Sequence, residues 1–282
     1  MPDRALTAIL SVLRCPLCVA RLSLVSRSLR CARGHCFDIA RQGYVNLYSG
    51  HRRTATADTS PMVAARDAFL SAGHYAPIAS TLASLGARLN PAAGPGVAVD
   101  LAGGTGYYLG AFLGSVTARA GICLDLSKPA LRRAVRTHPR VAAVGADVWR
   151  RLPLANGSAA IVLSVFGPRN TEEIRRVLAR DGILLLVTPT AQHLHEVISD
   201  LGMLTVDAAK PQRLAASLAE LDLAFEQTLT YRVALHHPDL SNLVAMGPSA
   251  RHIPTADLAH RVAALPQPLL VTVSVRVAAY RG

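Results

Sequence analysis

The apolar positions of this chain fall into two regimes. From residue 96 onward, short and nearly continuous apolar runs alternate with segments of helical character. Gly96-Val-Ala-Val-Asp100 ends in an acid and passes into Leu-Ala-Gly103-Gly104-Thr105-Gly106, after which 107–114 can open a helix. Gly121-Ile-Cys-Leu-Asp125 and Val141-Ala-Ala-Val-Gly-Ala-Asp147 repeat the form, each strand-sized and each closed by an aspartate. Residues 159–165 and 183–187 give a fourth and a fifth strand. Between them lies a helix over 171–179, with Asn170 as its cap and Glu172 and Glu173 in its first turn. Further on the pattern predicts a helix over 211–220, a strand over 223–233, helices over 239–245 and 255–264, and an alternating final strand over 270–277. Continuous apolar strands separated by helices predict a parallel, doubly wound α/β sheet, and the alternating last strand fits its antiparallel edge. The proline- and glycine-rich stretch 91–96 is the clearest break ahead of that sheet.

Composition narrows the class. The 282 residues are 51% apolar and 17% charged, which describes a folded chain. No apolar run nears the roughly 18–20 residues that span a bilayer, so no membrane partner is expected. The opening MPDRALTAILSVLRCP is too weakly apolar for a signal peptide and lacks a small-residue cleavage site. The expected location is therefore the cytoplasm, where thiols stay reduced. Basic residues outnumber acidic ones 30 to 18, for a net charge of +12, and only Lys128 and Lys210 are lysines. Such charge suits a polyanionic partner such as a nucleic acid. An Ala- and Arg-rich, lysine-poor chain is also what GC-rich coding yields, so charge alone leaves both readings open.

The other regime is N-terminal. Cys15-x2-Cys18-x12-Cys31-x3-His35 gathers soft ligands at the spacing of a metal knuckle, with Pro16 and Gly34 inside the two pairs where tight turns need them. Apolar stretches such as Leu22-Ser-Leu-Val25 can supply ribbon strands, and a bound metal would stabilise a segment too poor in apolar residues to fold alone. A disulfide is disfavoured in a reducing compartment, and a redox Cys-x2-Cys usually heads a helix. Cys36 adjoins His35 and is an alternative fourth ligand. Four protein ligands leave no open position, so the expected ion is structural.

Ligands of doubly wound sheets sit at the carboxyl ends of the strands. That places Asp100, Ala102, Gly103, Gly104, Thr105, Gly106 and Tyr107 at one candidate cofactor site, with Asp125 about 20 residues past the loop to take ribose hydroxyls. Dinucleotide oxidoreductases are the rival, but their fingerprint lacks an aspartate ahead of the glycines. Acid-x2-Gly-Gly-Thr-Gly resembles the S-adenosylmethionine (SAM) signature of class I methyltransferases over residues 96–190. That resemblance implies a Rossmann-like, mostly parallel seven-stranded sheet, and an adenine edge beside Asp147 and Val148.

Phe37-Asp38-Ile-Ala-Arg41-Gln-Gly43-Tyr44-Val-Asn46-Leu47 and Met62-Val-Ala-Ala-Arg66-Asp-Ala-Phe69-Leu-Ser-Ala-Gly73-His74-Tyr75-Ala-Pro77 carry a more specific likeness. So do Arg132-Arg133, Asp147-Val148-Trp149, Phe166-Gly-Pro-Arg169, Thr188-Pro189 with His193-Leu194, and Ala245-Met-Gly-Pro-Ser249. With the cysteine knuckle they resemble the RlmA family of 23S rRNA guanine-N1 methyltransferases over nearly the whole chain. Ala57-Asp58-Thr59, Pro168-Arg169-Asn170 and Met246-Gly-Pro-Ser249 look like its actinobacterial RlmA(II), tylosin-resistance branch. That branch implies methylation of guanine 748 in hairpin 35, with a contribution to macrolide resistance; the alternatives are the same enzyme acting on guanine 745, or a zinc-containing SAM methyltransferase of a small molecule. The resemblance implies zinc on Cys15, Cys18, Cys31 and His35, a homodimer, and a zinc ribbon that binds RNA through Arg14, Arg21, Arg27, Arg30, Arg33, Arg41, Arg52 and Arg53. The expected organisation is a zinc-binding RNA-recognition module over 1–50, a helical linker over 51–95 and the methyltransferase domain over 96–282.

Guanine N1 carries a proton at neutral pH, so its methylation needs a base or a stabiliser of the deprotonated ring. The target base must also be unstacked. No spacing identifies the base; His74, His193 and Asp58 are the candidates, and proton loss to water is another route. Tyr107, Trp149 and Phe166 are candidate stacking platforms, with Phe166 best placed just after the fourth strand.

Overall fold

The computed structural model describes residues 2–48, 57–90, 96–116, 119–203, 212 and 216–282. Arg52 and Arg53, most of the 91–96 break, and residues 211 and 213–215 of the expected helix lie outside them. The chain opens with helix α1 (Pro2–Ala8) and a three-stranded antiparallel ribbon, β1 (Leu22–Val25), β2 (Ser28–Cys31) and β3 (Cys36–Asp38). A two-residue strand β4 (Val45–Asn46) follows, then helices α2 (Ser60–Ser71) and α3 (Ala76–Leu89). Thr59 caps α2 by accepting from the Met62 amide at 3.4 Å.

The expected βα alternation comes next: β5 (Val97–Leu101), α4 (Tyr107–Ser115), β6 (Gly121–Asp125), α5 (Lys128–Thr137), β7 (Val141–Gly145), β8 (Ala159–Val165), α6 (Thr171–Val177) and β9 (Leu178–Pro189). Asn170 caps α6 as the sequence suggests, accepting from the Glu173 amide at 3.3 Å. The C-terminal third adds α7 (His195–Ile198), β10 (Asp222–Leu235), α8 (His237–Ala245), α9 (Thr255–Ala263) and β11 (Leu269–Arg281).

The main sheet runs β10-β11-β9-β8-β5-β6-β7-β4. It is parallel from β9 to β4, while β11 is antiparallel to both its neighbours. Two details correct the sequence reading. Among the described residues the sheet has eight strands where seven are expected, because β4 adds to its far edge. The last strand is not the edge: it sits between β9 and β10, and β10 takes the edge. A two-residue strand has no period to read. β4 docks because its partner is glycine: Asn46 pairs with Gly145, where any Cβ would lie 2.1 Å from Asn46 Oδ1.

Central strands are buried on both faces, and their residues divide alternately between two cores. Ile183, Leu185 and Val187 join Phe69, Phe112 and Leu109 on one face. Leu184 and Leu186 join Leu6, Ile9 and Leu13 on the other, together with Cys15 and Cys31 of the ribbon. The ribbon is stitched down by backbone bonds from the Arg14 amide to Pro153 O (2.9 Å) and from the Ala155 amide to Val12 O (2.8 Å). It therefore packs as a cover on the sheet. Among the described residues no helix is long and apolar enough to cross a membrane.

Candidate active site and metal centre

The knuckle residues converge. The ligand atoms of Cys15, Cys18, Cys31 and His35 all lie within 4.8 Å of one another. Cys18 Sγ is 3.7 Å from Cys31 Sγ, and His35 Nδ1 is 3.5 Å from Cys15 Sγ and 3.4 Å from Cys31 Sγ. A tetrahedral zinc with its ordinary bond lengths needs S···S near roughly 3.8 Å and S···N near roughly 3.5 Å. The residues fit that ion, and Nδ1 is the ring nitrogen that faces the sulfurs. Cys36 is exposed on β3 and outside the cluster, which settles the fourth ligand in favour of His35. Burial opposes ionisation of Cys31, but the amides of Arg33 and His35 together with the Cys18 and His35 side chains outweigh it and pull the thiol down to about 6, toward the thiolate a metal requires.

The knuckle carries a strained residue. Val19, directly after Cys18, has φ of 64° while its amide donates to Cys15 O at 2.8 Å. A β-branched residue pays for this left-handed conformation, which glycine adopts freely. Val19→Gly is expected to stabilise the zinc-loaded protein by about 1 kcal/mol net, read as a higher urea midpoint with zinc content unchanged. A lower midpoint would show that the Val19 side chain packs usefully.

Of the expected RNA-facing arginines, Arg21, Arg27, Arg30, Arg33 and Arg41 are exposed. Arg14 is half-buried, and its Nη1 donates to the Ser11 and Leu13 carbonyls at 3.0 and 2.8 Å.

At the carboxyl ends of β5, β6, β7 and β8 lies a cavity of about 680 Å³. It brings together Asp100, Ala102, Gly103, Gly104, Thr105, Tyr107, Asp125, Asp147 and Val148. Gly106 is not in the lining. It caps α4 at φ 77°, and a Cβ there would press on Ala134 at 3.2 Å. Ala102 also sits left-handed, at φ 52°.

Gly103 has no room for a side chain, since its Cβ would stand 2.7 Å from the Asp100 carboxyl and 2.8 Å from Cys123 Sγ. The two Asp125 oxygens accept from the Gly104 amide (2.9 Å) and the Ser127 amide (2.7 Å), which aims the carboxylate into the cavity. Asp147 Oδ1 accepts from the Trp149 amide at 3.0 Å. Asp100 Oδ2 is buried without a hydrogen-bond partner. Burial, and then the charge of Asp125, raise the Asp100 carboxyl to about 8. A buried carboxyl with one orphaned oxygen, beside a cradle with no space for a Cβ, fits a cationic, ribose-bearing cofactor such as SAM.

An aromatic wall closes the other side. Phe166 stacks on His193 with ring centres 5.6 Å apart and planes at 26°, and Tyr75 lies 5.8 Å from Phe166. Phe166 and Leu194 are held left-handed, at φ 55° and 59°. Trp149, 55% exposed, stands at the rim.

The candidate bases fare unequally. His74 does not line the cavity; its Nε2 lies 3.1 Å from Asp239 Oδ1, without hydrogen-bond alignment, and its ring packs on Phe69. Asp58 lines the cavity but pairs with Arg66, close enough to Asp125 to raise its carboxyl. His193 is buried at the wall, where desolvation lowers it to about 4. Its Nδ1 accepts from the Ser274 amide at 3.3 Å, and Nε2 faces Tyr75 Oη at 3.4 Å. Neither nitrogen is open as a base. Arg66 and Tyr75 also line the cavity. Sequence reasoning did not place them at the site, because they reach it from α2 and its exit turn, outside the βα pattern.

A mostly parallel doubly wound sheet, with this acid-and-glycine site at its carboxyl edge, makes the protein a class I SAM-dependent methyltransferase. A Bacillus halodurans structure provisionally named a methyltransferase shares the fold, with a TM-score of 0.51 at 16% identity over 72% of this chain and 98% of that one. Residues 13–53 match the zinc-ribbon family described as "RlmA, N-terminal". The 23S rRNA (guanine(748)-N(1))-methyltransferase of Streptomyces fradiae is 48% identical over 93% of this chain and 94% of its own length. A Micromonospora griseorubida relative, provisionally named a 23S rRNA guanine-N1 methyltransferase, is 48% identical over 95% of this chain and 97% of its own. The chain belongs to the RlmA family of 23S rRNA guanine-N1 methyltransferases.

Proposed function

We propose that this protein methylates N1 of guanine 748 in hairpin 35 of 23S rRNA. The observation that carries the reading is a cavity in which an acid-and-glycine cradle faces an aromatic wall. The position rests on the 48% identity to the S. fradiae guanine-748 enzyme. Asp125 takes the ribose hydroxyls, Asp147 and Val148 flank the adenine, and Asp100 Oδ2 meets the methionine ammonium. SAM, when bound, supplies the electrophilic methyl group. Phe166 receives the unstacked guanine. The ribbon arginines hold the hairpin backbone, and residues 1–50 act as the RNA-recognition module ahead of a linker over 51–95 and a methyltransferase domain over 96–282. The family resemblance adds a dimer whose two ribbons share one RNA cleft, and a contribution to tylosin-type resistance.

His193 positions Phe166 and stays neutral. Its folded-state value lies below the ordinary 6.5, so the unfolded chain binds the extra proton and stability is lost as pH falls from about 6.5 to 4. His193→Asn is expected to shrink the drop in Tm between pH 7 and pH 5 while leaving the kcat–pH profile without a new limb near 6. Disappearance of an existing limb would make His193 the base.

The function is tested by transfer from labelled SAM to unmodified 23S rRNA, with reverse-transcription stops locating the product. A stop at 748 supports the reading. A stop at 745 moves the site, and no incorporation by SAM-loaded protein overturns RNA as the substrate.

A further inference from the structure

The cavity is strongly acidic. Asp58, Asp100, Asp125 and Asp147 line it, and Arg66 is the lone lysine or arginine among its described lining residues. Arg66 projects from α2, and its guanidinium lies over the glycine loop: a Cβ on Gly104 would meet Arg66 Nη1 at 3.2 Å. The side chain is one-quarter exposed, 25%. It is also clamped. Nη1 pairs with Asp58, and Nη2 donates to Met246 O at 2.7 Å. The clamp is held from behind, since Ser127 Oγ donates to Asp58 O at 2.7 Å and Arg251 Nη2 donates to Ala57 O at 2.9 Å.

A guanidinium carries five N–H groups, so these contacts leave donors for a ligand. An arginine fixed in a planar fork beside a cavity is arranged for a carboxylate. SAM carries two cationic centres, the sulfonium and the ammonium, and one anion, its α-carboxylate. The cationic centres suit the aspartates. The carboxylate, set against the same aspartates, would meet like charge, and Arg66 is the described lining group of opposite sign.

We propose that Arg66 receives the methionine α-carboxylate of SAM and so discriminates the full cofactor from analogues that lack this group. Asp58 is then a positioning residue that orients Arg66. Because Arg66 also holds Met246, cofactor binding ties together the segments 57–59 and 246–251 on either side of the cavity. This inference rests on the assignment of the cavity to SAM.

The test is calorimetric titration with S-adenosylhomocysteine and with S-adenosyl-3-thiopropylamine, which differ by the carboxylate alone. Wild-type protein is expected to prefer S-adenosylhomocysteine by about 10- to 100-fold. Arg66→Met is expected to abolish that preference by weakening S-adenosylhomocysteine, with the carboxylate-free ligand held within about threefold. Arg66→Lys keeps the charge without the fork and is expected to retain part of the preference. A variant that weakens both ligands equally marks a purely structural role and overturns the assignment, as does a preference that survives in Arg66→Met. Should Arg66→Met fail to fold, equal affinity of the wild type for the two ligands, or an unchanged preference in Arg66→Lys, overturns it. Wild-type protein that binds neither ligand overturns the SAM assignment itself, an outcome distinct from the others.

Discussion

Cys15→Ser is expected to empty the metal knuckle, lower Tm by about 10 °C or more and cut methyl transfer to rRNA by more than about 100-fold. Cys15 is almost wholly buried, within 4 Å of His35 Nδ1, and belongs to the core that also holds Leu13, Leu22 and Leu29. A hydroxyl there replaces a thiolate ligand and adds a buried polar group. In a structural site of this kind metal binding is folding free energy, about 10–16 kcal/mol in isolated zinc peptides. The ribbon joins one face of the sheet through Cys15, Leu22 and Leu29, next to Leu6, Ile9 and Leu13 of the segment that leads into it and is bonded to 153–155, so its loss uncovers apolar surface.

The cofactor cavity draws Leu70, Tyr75, Tyr108 and Leu243 from the core on the opposite face, and meets the core that the ribbon shares at its Ala146–Val148 edge. SAM affinity measured below the variant's Tm is therefore expected to change by less than about fivefold. Zinc content by mass spectrometry, the melting curve and the transfer assay together read the effect. Cys36→Ser is the control, expected to be silent because Cys36 is exposed and outside the cluster. A full equivalent of zinc in Cys15→Ser would exclude it as a ligand.

Asp100→Asn is expected to have opposite effects on stability and on function. The folded protein holds the Asp100 proton up to about pH 8, whereas the unfolded chain releases it near 3.8. That stabilisation is complete below about pH 4 and is lost as pH rises through 8. Ligand-free wild-type protein should therefore lose Tm steadily from pH 5 to pH 9. The amide cannot ionise, so the variant's Tm should fall less and exceed the wild type's at pH 9.

Binding should move the other way. A cationic ligand favours the ionised carboxyl, so wild-type SAM affinity should rise between pH 6 and pH 8.5. In Asp100→Asn that dependence should vanish and affinity should drop by about 10- to 100-fold. Melting curves and calorimetry across this range measure both. An unchanged affinity would remove Asp100 from the cofactor site, and an unchanged slope of Tm with pH would mean that the carboxyl is already ionised when ligand-free.

The strands, the knuckle ligands and the acid-and-glycine loop are legible in the chain because each depends on local order. β5 to β8 and residues 183–187 of β9 are nearly continuous apolar runs bounded by acids or turns, as strands buried on both faces require. Cys15, Cys18, Cys31 and His35 are legible because metal coordination fixes spacing. Asp125 and Asp147 are legible because strand ends in a parallel sheet all point to one edge.

Other features rest on contacts between distant segments. The eighth strand exists because Gly145 leaves space for Asn46, a fit between positions 99 apart in the chain. His35 wins over Cys36 because the turn ahead of β3, closed by the Cys31 amide on His35 O, brings the His35 ring to the sulfurs while Cys36, the first residue of β3, faces solvent. His193 is disqualified as a base by the Ser274 amide and by burial, neither of which its neighbours in sequence reveal. Arg66 reads along the chain as one surface arginine on a helix, and it becomes a cavity group through Asp58, Gly104 and Met246. Periodicity and ligand spacing determined the class of fold and the metal. Packing decided which charges face one another, because electrostatics follows distance through space and not separation along the chain.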